Sequence, residues 1–152
     1  MSEVAGNAVQ VEVLDKVTGE VVEAFAGLLP QLSSSAVPLG QDGLDAIVRS
    51  PANTVLIARS SGAITGTLTL VMFPLPTGLR AWIEDVVVDE SARGRGIGEA
   101  LTSEALRLAR EAGARTVDLT SRPSRVAAGR LYERLGFSAR DSRLYRFTFG
   151  AD

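Results

Sequence analysis

The chain has 152 residues, 16 Lys and Arg against 18 Asp and Glu, and neither cysteine nor histidine. That length suits one domain spanning 1–152, and 45% apolar residues suffice for a core without disulfides or a metal. The two absences exclude thiol nucleophiles, Ser–His triads, Cys/His zinc sites and redox chemistry, so no metal site is expected and any general base is a carboxylate, a tyrosine, an amine or bound water.

No uncharged apolar run reaches the ~18 residues of a membrane span, and the N-terminus has no basic leader with a continuous apolar stretch. The expected location is cytoplasmic, with no membrane partner. The near-neutral charge hides a split: residues 1–92 carry 4 basic and 11 acidic side chains, a net of −7, whereas 93–152 carry 12 and 7, a net of +5. Fifteen of the sixteen basic residues are Arg, whose planar fork suits phosphate, although codon bias produces the same excess.

Along the chain, Val9, Val11 and Val13 alternate with polar residues and predict a strand. Val17, Val21, Val22, Phe25, Leu28 and Leu29 recur at helical spacing until Pro30 and the Ser33–Ser35 run interrupt them, and a second short helix is expected at about 41–49. Segments 54–60 and 64–73 form a hairpin around Ser61–Gly62, with Pro74 and Pro76 ending its second arm. A strand follows at 81–89, then a helix to about Ala112 with Leu101, Ala105, Leu108 and Ala112 on its apolar side and Gly113 as its stop. After a short strand at 116–120, Ser124 caps a helix whose inner face is Ala128, Leu131 and Leu135. Segments 137–141 and 144–149 read as two final strands. The order gives an α+β sheet with one central strand–helix–strand crossover.

The segment most suited to chemistry joins the 81–89 strand to the helix after it. Arg93-Gly94-Arg95-Gly96-Ile97-Gly98 places glycines at alternate positions before a helix N-terminus, where free N–H groups and two arginines favour an anion. A glycine loop that only turns a corner is the bland alternative. A Walker loop requires Lys and Ser/Thr after its last glycine, but Gly98 precedes Glu99 and Ala100. A dinucleotide fingerprint requires glycine where Glu99 stands and a shorter link from the strand, although Asp118 lies near the distance of that motif's acid.

The loop instead resembles the acyl-CoA loop of the Gcn5-related N-acetyltransferase family, Arg/Gln-x-x-Gly-x-Gly/Ala after a valine-rich strand. One strand later, Ala128-Gly129-Arg130-Leu131-Tyr132-Glu133-Arg134-Leu135-Gly136-Phe137 is similar to the family's Ala-x-x-Leu-Tyr-x-x-x-Gly-Phe helix. The resemblance covers about 8–149. It implies an α+β fold with a mixed, mostly antiparallel six- to seven-stranded sheet flanked by about four helices. It also implies that acetyl-CoA is the co-substrate, with its pyrophosphate on Arg93 through Gly98, its pantetheine arm against the backbone of Val86 and Val88 where the strand splays from 116–120, and its carbonyl near the N–H of Val87 or Val86.

On the 81–89 strand, Trp82, Glu84, Val86 and Val88 share one face, while Ile83, Asp85 and Val87 share the other. Glu84 is thereby the expected base, the alternative being a carboxylate that only binds a cationic amine or faces solvent; burial beside Trp82 would strengthen its basicity. Asp85 is expected in an ion pair beneath the sheet. Tyr132 occupies the family's acid position for reprotonating the CoA thiolate, its structural alternative being a core aromatic. Many relatives carry an asparagine that contacts the cofactor arm where Arg125 stands, so Arg125 or Arg130 is expected to reach the nucleotide phosphates instead, the alternative being solvated helix-face arginines.

The function expected is direct acetyl transfer to a primary amine, with no covalent enzyme intermediate, since no thiol exists. The acidic half, including Asp42, Asp45 and Glu84, favours a cationic acceptor, either a small molecule or a peptide. The alternative is a catalytically idle acyl-CoA-binding module, which needs neither Glu84 nor Tyr132. Nucleic acid is not an expected partner, because the net charge is negative and basic residues are not interleaved with aromatics. The family and the C-terminal edge strands are compatible with a homodimer.

Overall fold

The computed structural model describes residues 8–150, which fall into two compact units, one up to Thr120 and one from Ser121 onward. The first unit begins with β1 (Val9–Val13), α1 (Gly19–Leu32) and α2 (Gln41–Arg49). The Thr18 hydroxyl caps α1 by accepting the Val21 N–H at 3.4 Å. Pro30 does not end the helix as expected. It removes the bond to the Ala26 carbonyl, but in the last turn the helix continues, with Ser33 N–H reaching Leu29 O at 3.0 Å.

β2 (Asn53–Ser60), β3 (Ala63–Leu75) and β4 (Gly78–Val88) continue the sheet as an antiparallel meander. β3 runs through Pro74, which was expected to stop it. The β2 register ends at Asn53↔Val71, so this overhang pairs only with β4, at Pro74↔Leu79, and the missing donor interrupts no β2 ladder. α3 (Ile97–Ala112) then crosses to β5 (Thr116–Asp118), which lies parallel to β4. The sheet order is β1-β2-β3-β4-β5.

The two faces of the sheet divide the helices. Val55 and Ile57 pack with Val21 and Phe25 of α1 and Leu44 of α2 in one core cluster. The alternate residues Leu56, Ala58, Leu68 and Leu70 are fully buried on the opposite face, which carries α3. There Gly66 permits close approach: a Cβ on it would lie 3.1 Å from Ile97 and 3.2 Å from Leu101. The buried side of α3 is Ile97, Leu101, Thr102, Ala105 and Ala109. The expected Leu108 is half-buried, and Ala112, the last residue of the helix, is exposed. No helix among the described residues is long and apolar enough to cross a membrane.

The second unit contains α4 (Val126–Arg134), entered through Arg125 rather than capped by Ser124. Residues 138–150 form no strand, so among the described residues the sheet has five strands instead of the expected six to seven. Tyr145, Phe147 and Phe149 do alternate with polar residues, yet they are exposed, and Phe147 and Phe149 meet edge to face at 5.1 Å. Alternation specifies an apolar face; a strand also requires a neighbouring backbone in register.

Candidate functional site

β4 carries the expected base and meets β5 only briefly. Their parallel pairing covers Arg80↔Thr116, Ala81↔Val117 and Trp82↔Asp118. Residues 83–88 therefore have no strand partner on the β5 side among the described residues, and apart from the Val88 carbonyl, which Arg93 occupies, their backbone groups on that side are open to an extended ligand.

On its other side β4 contains a bulge. Thr69 pairs with Glu84 and Thr67 with Val87, so Asp85 and Val86 together oppose Leu68. Asp85 adopts the left-handed conformation, φ 51°, unusual for a residue other than glycine and best tolerated by Asp and Asn. The extra residue resets the alternation. Glu84 and Val87 now share the α1/α2 face with Thr69 and Thr67, while Val88, paired with Gly66, belongs to the α3 face. The expected grouping of Glu84 with Val86 and Val88 is thus corrected.

Two environments also differ from expectation. Glu84 is exposed rather than buried beside Trp82. Asp85 is exposed too, forms no ion pair among the described residues, and borders an apolar cleft instead of pairing beneath the sheet. Asp45, expected to attract an acceptor, pairs with Arg49 at 2.9 Å along α2.

Beyond β4, Asp89 accepts from the Ser91 hydroxyl and from its backbone N–H, starting a short 3-10 turn over Glu90–Ala92. Gly94 and Gly96 then take left-handed φ of 80° and 78°, Gly96 serving as the N-cap of α3. A Cβ at either would meet no protein atom within 4 Å, so each borders open space at the first-turn amides of α3. Arg93 Nε donates to the Val88 carbonyl at 3.2 Å, and Arg95 is exposed. The donors, the open space and the cations suit a pyrophosphate.

Sequence reading missed what braces this loop. The Gln31 side chain, from the last turn of α1, donates to Asp89 Oδ1 at 2.8 Å and accepts the Glu90 N–H at 2.9 Å. A single glutamine at a helix end carries no signal for such a long-range contact. The bond from the Ser91 hydroxyl, followed by that from Gln31, holds the Asp89 carboxyl below its ordinary value against a smaller opposing effect of burial.

In the second unit, α4 closes with a Schellman motif: Phe137 N–H reaches Tyr132 O at 3.0 Å and Gly136 N–H reaches Glu133 O at 3.0 Å, with Gly136 at φ 103°. Tyr132 and Phe137 meet edge to face at 5.7 Å, supplying the motif's hydrophobic contact. The Leu131-Tyr132…Gly136-Phe137 pattern is therefore also a helix stop. Burial raises the Tyr132 phenol's pKa, partly offset by the Arg125 guanidinium.

The chain is 38% identical over 93 residues to a glucosamine 6-phosphate N-acetyltransferase of Trypanosoma brucei brucei, covering 59% of this chain and 61% of that protein. It is 35% identical over 91 residues to an N-alpha-acetyltransferase of Arabidopsis thaliana, covering 60% and 47%. The matches thus span less than two thirds of either relative. The crystal structure of a Trypanosoma brucei acetyltransferase superposes with a TM-score of 0.75 at 29% identity, covering 93% of this chain and 100% of that one. Residues 23–137, which include the braced loop, the bulged strand and the capped helix, match the profile of the acetyltransferase (GNAT) family, to which this chain belongs.

Proposed function

We propose that the chain is an acetyl-CoA-dependent N-acetyltransferase that moves acetyl directly to a primary amine, cationic before reaction. The observation carrying this reading is that the splay between β4 and β5 adjoins the open, positive-φ glycine loop at the α3 N-terminus. One feature suits an extended pantetheine arm and the other a pyrophosphate. The named N-acetyltransferases among its relatives support the same chemistry.

In this reading, Arg93 through Gly98 hold the pyrophosphate, joined by Arg125 at the nucleotide phosphates, and the backbone of Val86 and Val88 aligns the arm. The N–H of Val86 or Val87, beside the bulge, polarises the acetyl carbonyl. The exposed Glu84 carboxylate takes the amine proton directly or through water, and the amine nitrogen attacks the carbonyl carbon as the C–S bond breaks. The Tyr132 hydroxyl serves the departing thiolate. Its raised pKa makes complete proton transfer to a thiol, ordinarily ~8.5, more uphill, so hydrogen bonding is its principal contribution.

An amine-library screen that detects CoA thiol release tests the reading. Glu84→Gln and Tyr132→Phe should lower turnover about 100-fold or more while CoA still binds. CoA binding with no thiol release from any amine would instead identify an acyl-CoA-binding module.

A further inference from the structure

The α1/α2 face of the sheet contains an open cleft of about 70 Å³, room for one compact group. Phe25 and Leu29 of α1, Leu39 before α2, and Leu44, Ile47 and Val48 of α2 make its apolar walls, with Val55 at its base. Thr67, Thr69 and Asp85 are the polar residues lining it. The Thr67 hydroxyl already donates to the Leu56 carbonyl at 2.8 Å. Asp85 is consequently the one charged group of the lining, and no Lys or Arg is present there.

Asp85 is also the residue that the bulge holds at φ 51°, and it makes no ion pair among the described residues. Asp85 thus combines an uncommon backbone conformation with a place in the cleft lining, an association typical of ligand-binding sites. Thr69, in the cleft lining, is the cross-strand partner of Glu84, so the expected base stands on the same sheet face.

We infer that this cleft receives the acceptor, and that the acceptor is a primary amine bearing a compact, uncharged apolar substituent, with Asp85 holding its ammonium group. The inference rests on the acetyltransferase reading for its reaction, but the binding chemistry follows from the cleft alone. An apolar body covers the partly exposed walls Leu29, Leu39, Ile47 and Val48, and the carboxylate neutralises the ammonium at the mouth. A sugar amine would leave its hydroxyls against leucine and isoleucine without partners, and a phosphorylated amine would find a carboxylate where it needs a cation. An arylalkylamine and the N-terminal residue of a peptide beginning with leucine present the same chemistry.

The test separates binding from turnover. Phenethylamine should bind the ligand-free protein in calorimetric titration, and Asp85→Asn should weaken it at least tenfold without changing CoA affinity. Asn tolerates positive φ, so the variant keeps the bulge. Ile47→Trp, which fills the cleft, should abolish amine binding and leave CoA binding intact. In turnover assays, phenethylamine or a leucine-initiated peptide should exceed glucosamine 6-phosphate and an aminoglycoside at least tenfold in kcat/KM, the more active of the first two identifying the source of the amine. Preference for the sugar amines, or phenethylamine binding unaffected by both variants, overturns the inference while the acetyltransferase reading stands. Phenethylamine binding that depends on Asp85, with no acetyl transfer to any amine, leaves the pocket and refutes the enzyme.

Discussion

The Gln31 amide donates to the Asp89 carboxylate at 2.8 Å across 58 positions of sequence. With the Glu90 N–H on its oxygen, this one side chain fixes the end of α1 to the start of the glycine loop. Replacing Gln31 by Leu removes both bonds, each worth about 1 kcal/mol. CoA affinity measured by calorimetry should fall about three- to tenfold, with a smaller change in melting temperature. Gln31→Glu should not rescue it, since a second carboxylate would face Asp89. Unchanged CoA affinity in both variants would refute the bracing role.

Asp89 makes the same loop sensitive to acid. Its carboxyl is held below the ordinary value by Ser91 first and Gln31 next, so its contribution to stability is present above about pH 4 and is lost as pH falls through the folded-state value. The difference in melting temperature between the wild type and Asp89→Asn should be largest near neutrality and shrink below pH 4. A difference independent of pH would contradict this origin.

Two glycines should fail for different reasons. Gly96→Ala forces a methyl-bearing residue to φ 78°, a strain of about 1–2 kcal/mol, with open space around the new methyl. Its stability loss should be modest and its loss of CoA binding severe. Gly66→Ala drives a methyl against Ile97, Leu101 and the Val87 carbonyl, so overpacking should cost about 1–3 kcal/mol in denaturant unfolding, with CoA affinity affected less.

Tyr132 has two separable roles. Tyr132→Phe keeps the ring contact with Phe137 and the helix stop, so it should alter turnover and leave the melting temperature nearly unchanged. Gly136→Ala should do the reverse, with strain at φ 103° costing about 1–2 kcal/mol. Because burial raises the Tyr132 pKa in the folded chain, the stability linked to its protonated form is complete below the ordinary value of ~10 and is lost as pH rises through the raised one. Alkaline melts should show this loss in the wild type and lack it in Tyr132→Phe.

Local pattern was enough to locate the hairpin around Ser61–Gly62, the glycine loop and the long helix stopped by Gly113, because turn chemistry and helical periodicity act within a few residues. It could not reveal the bulge. Glu84-Asp85-Val86 reads as ordinary alternation, and only pairing with Thr67 and Thr69 shows that one residue is extra. That register moved Val87 to the Glu84 face and placed Asp85 at the cleft.

The C-terminal pattern Leu144-Tyr145-Arg146-Phe147-Thr148-Phe149 marks the same boundary from the other side, since its alternation is genuine and its strand is not formed. The sequence by itself determined the chemistry available: carboxylate and phenol without thiol or imidazole, and glycines where an anion can approach a helix end. Tertiary structure decided which of those groups share a face and what braces the loop, because register and long-range hydrogen bonds depend on a partner strand or helix distant in the chain.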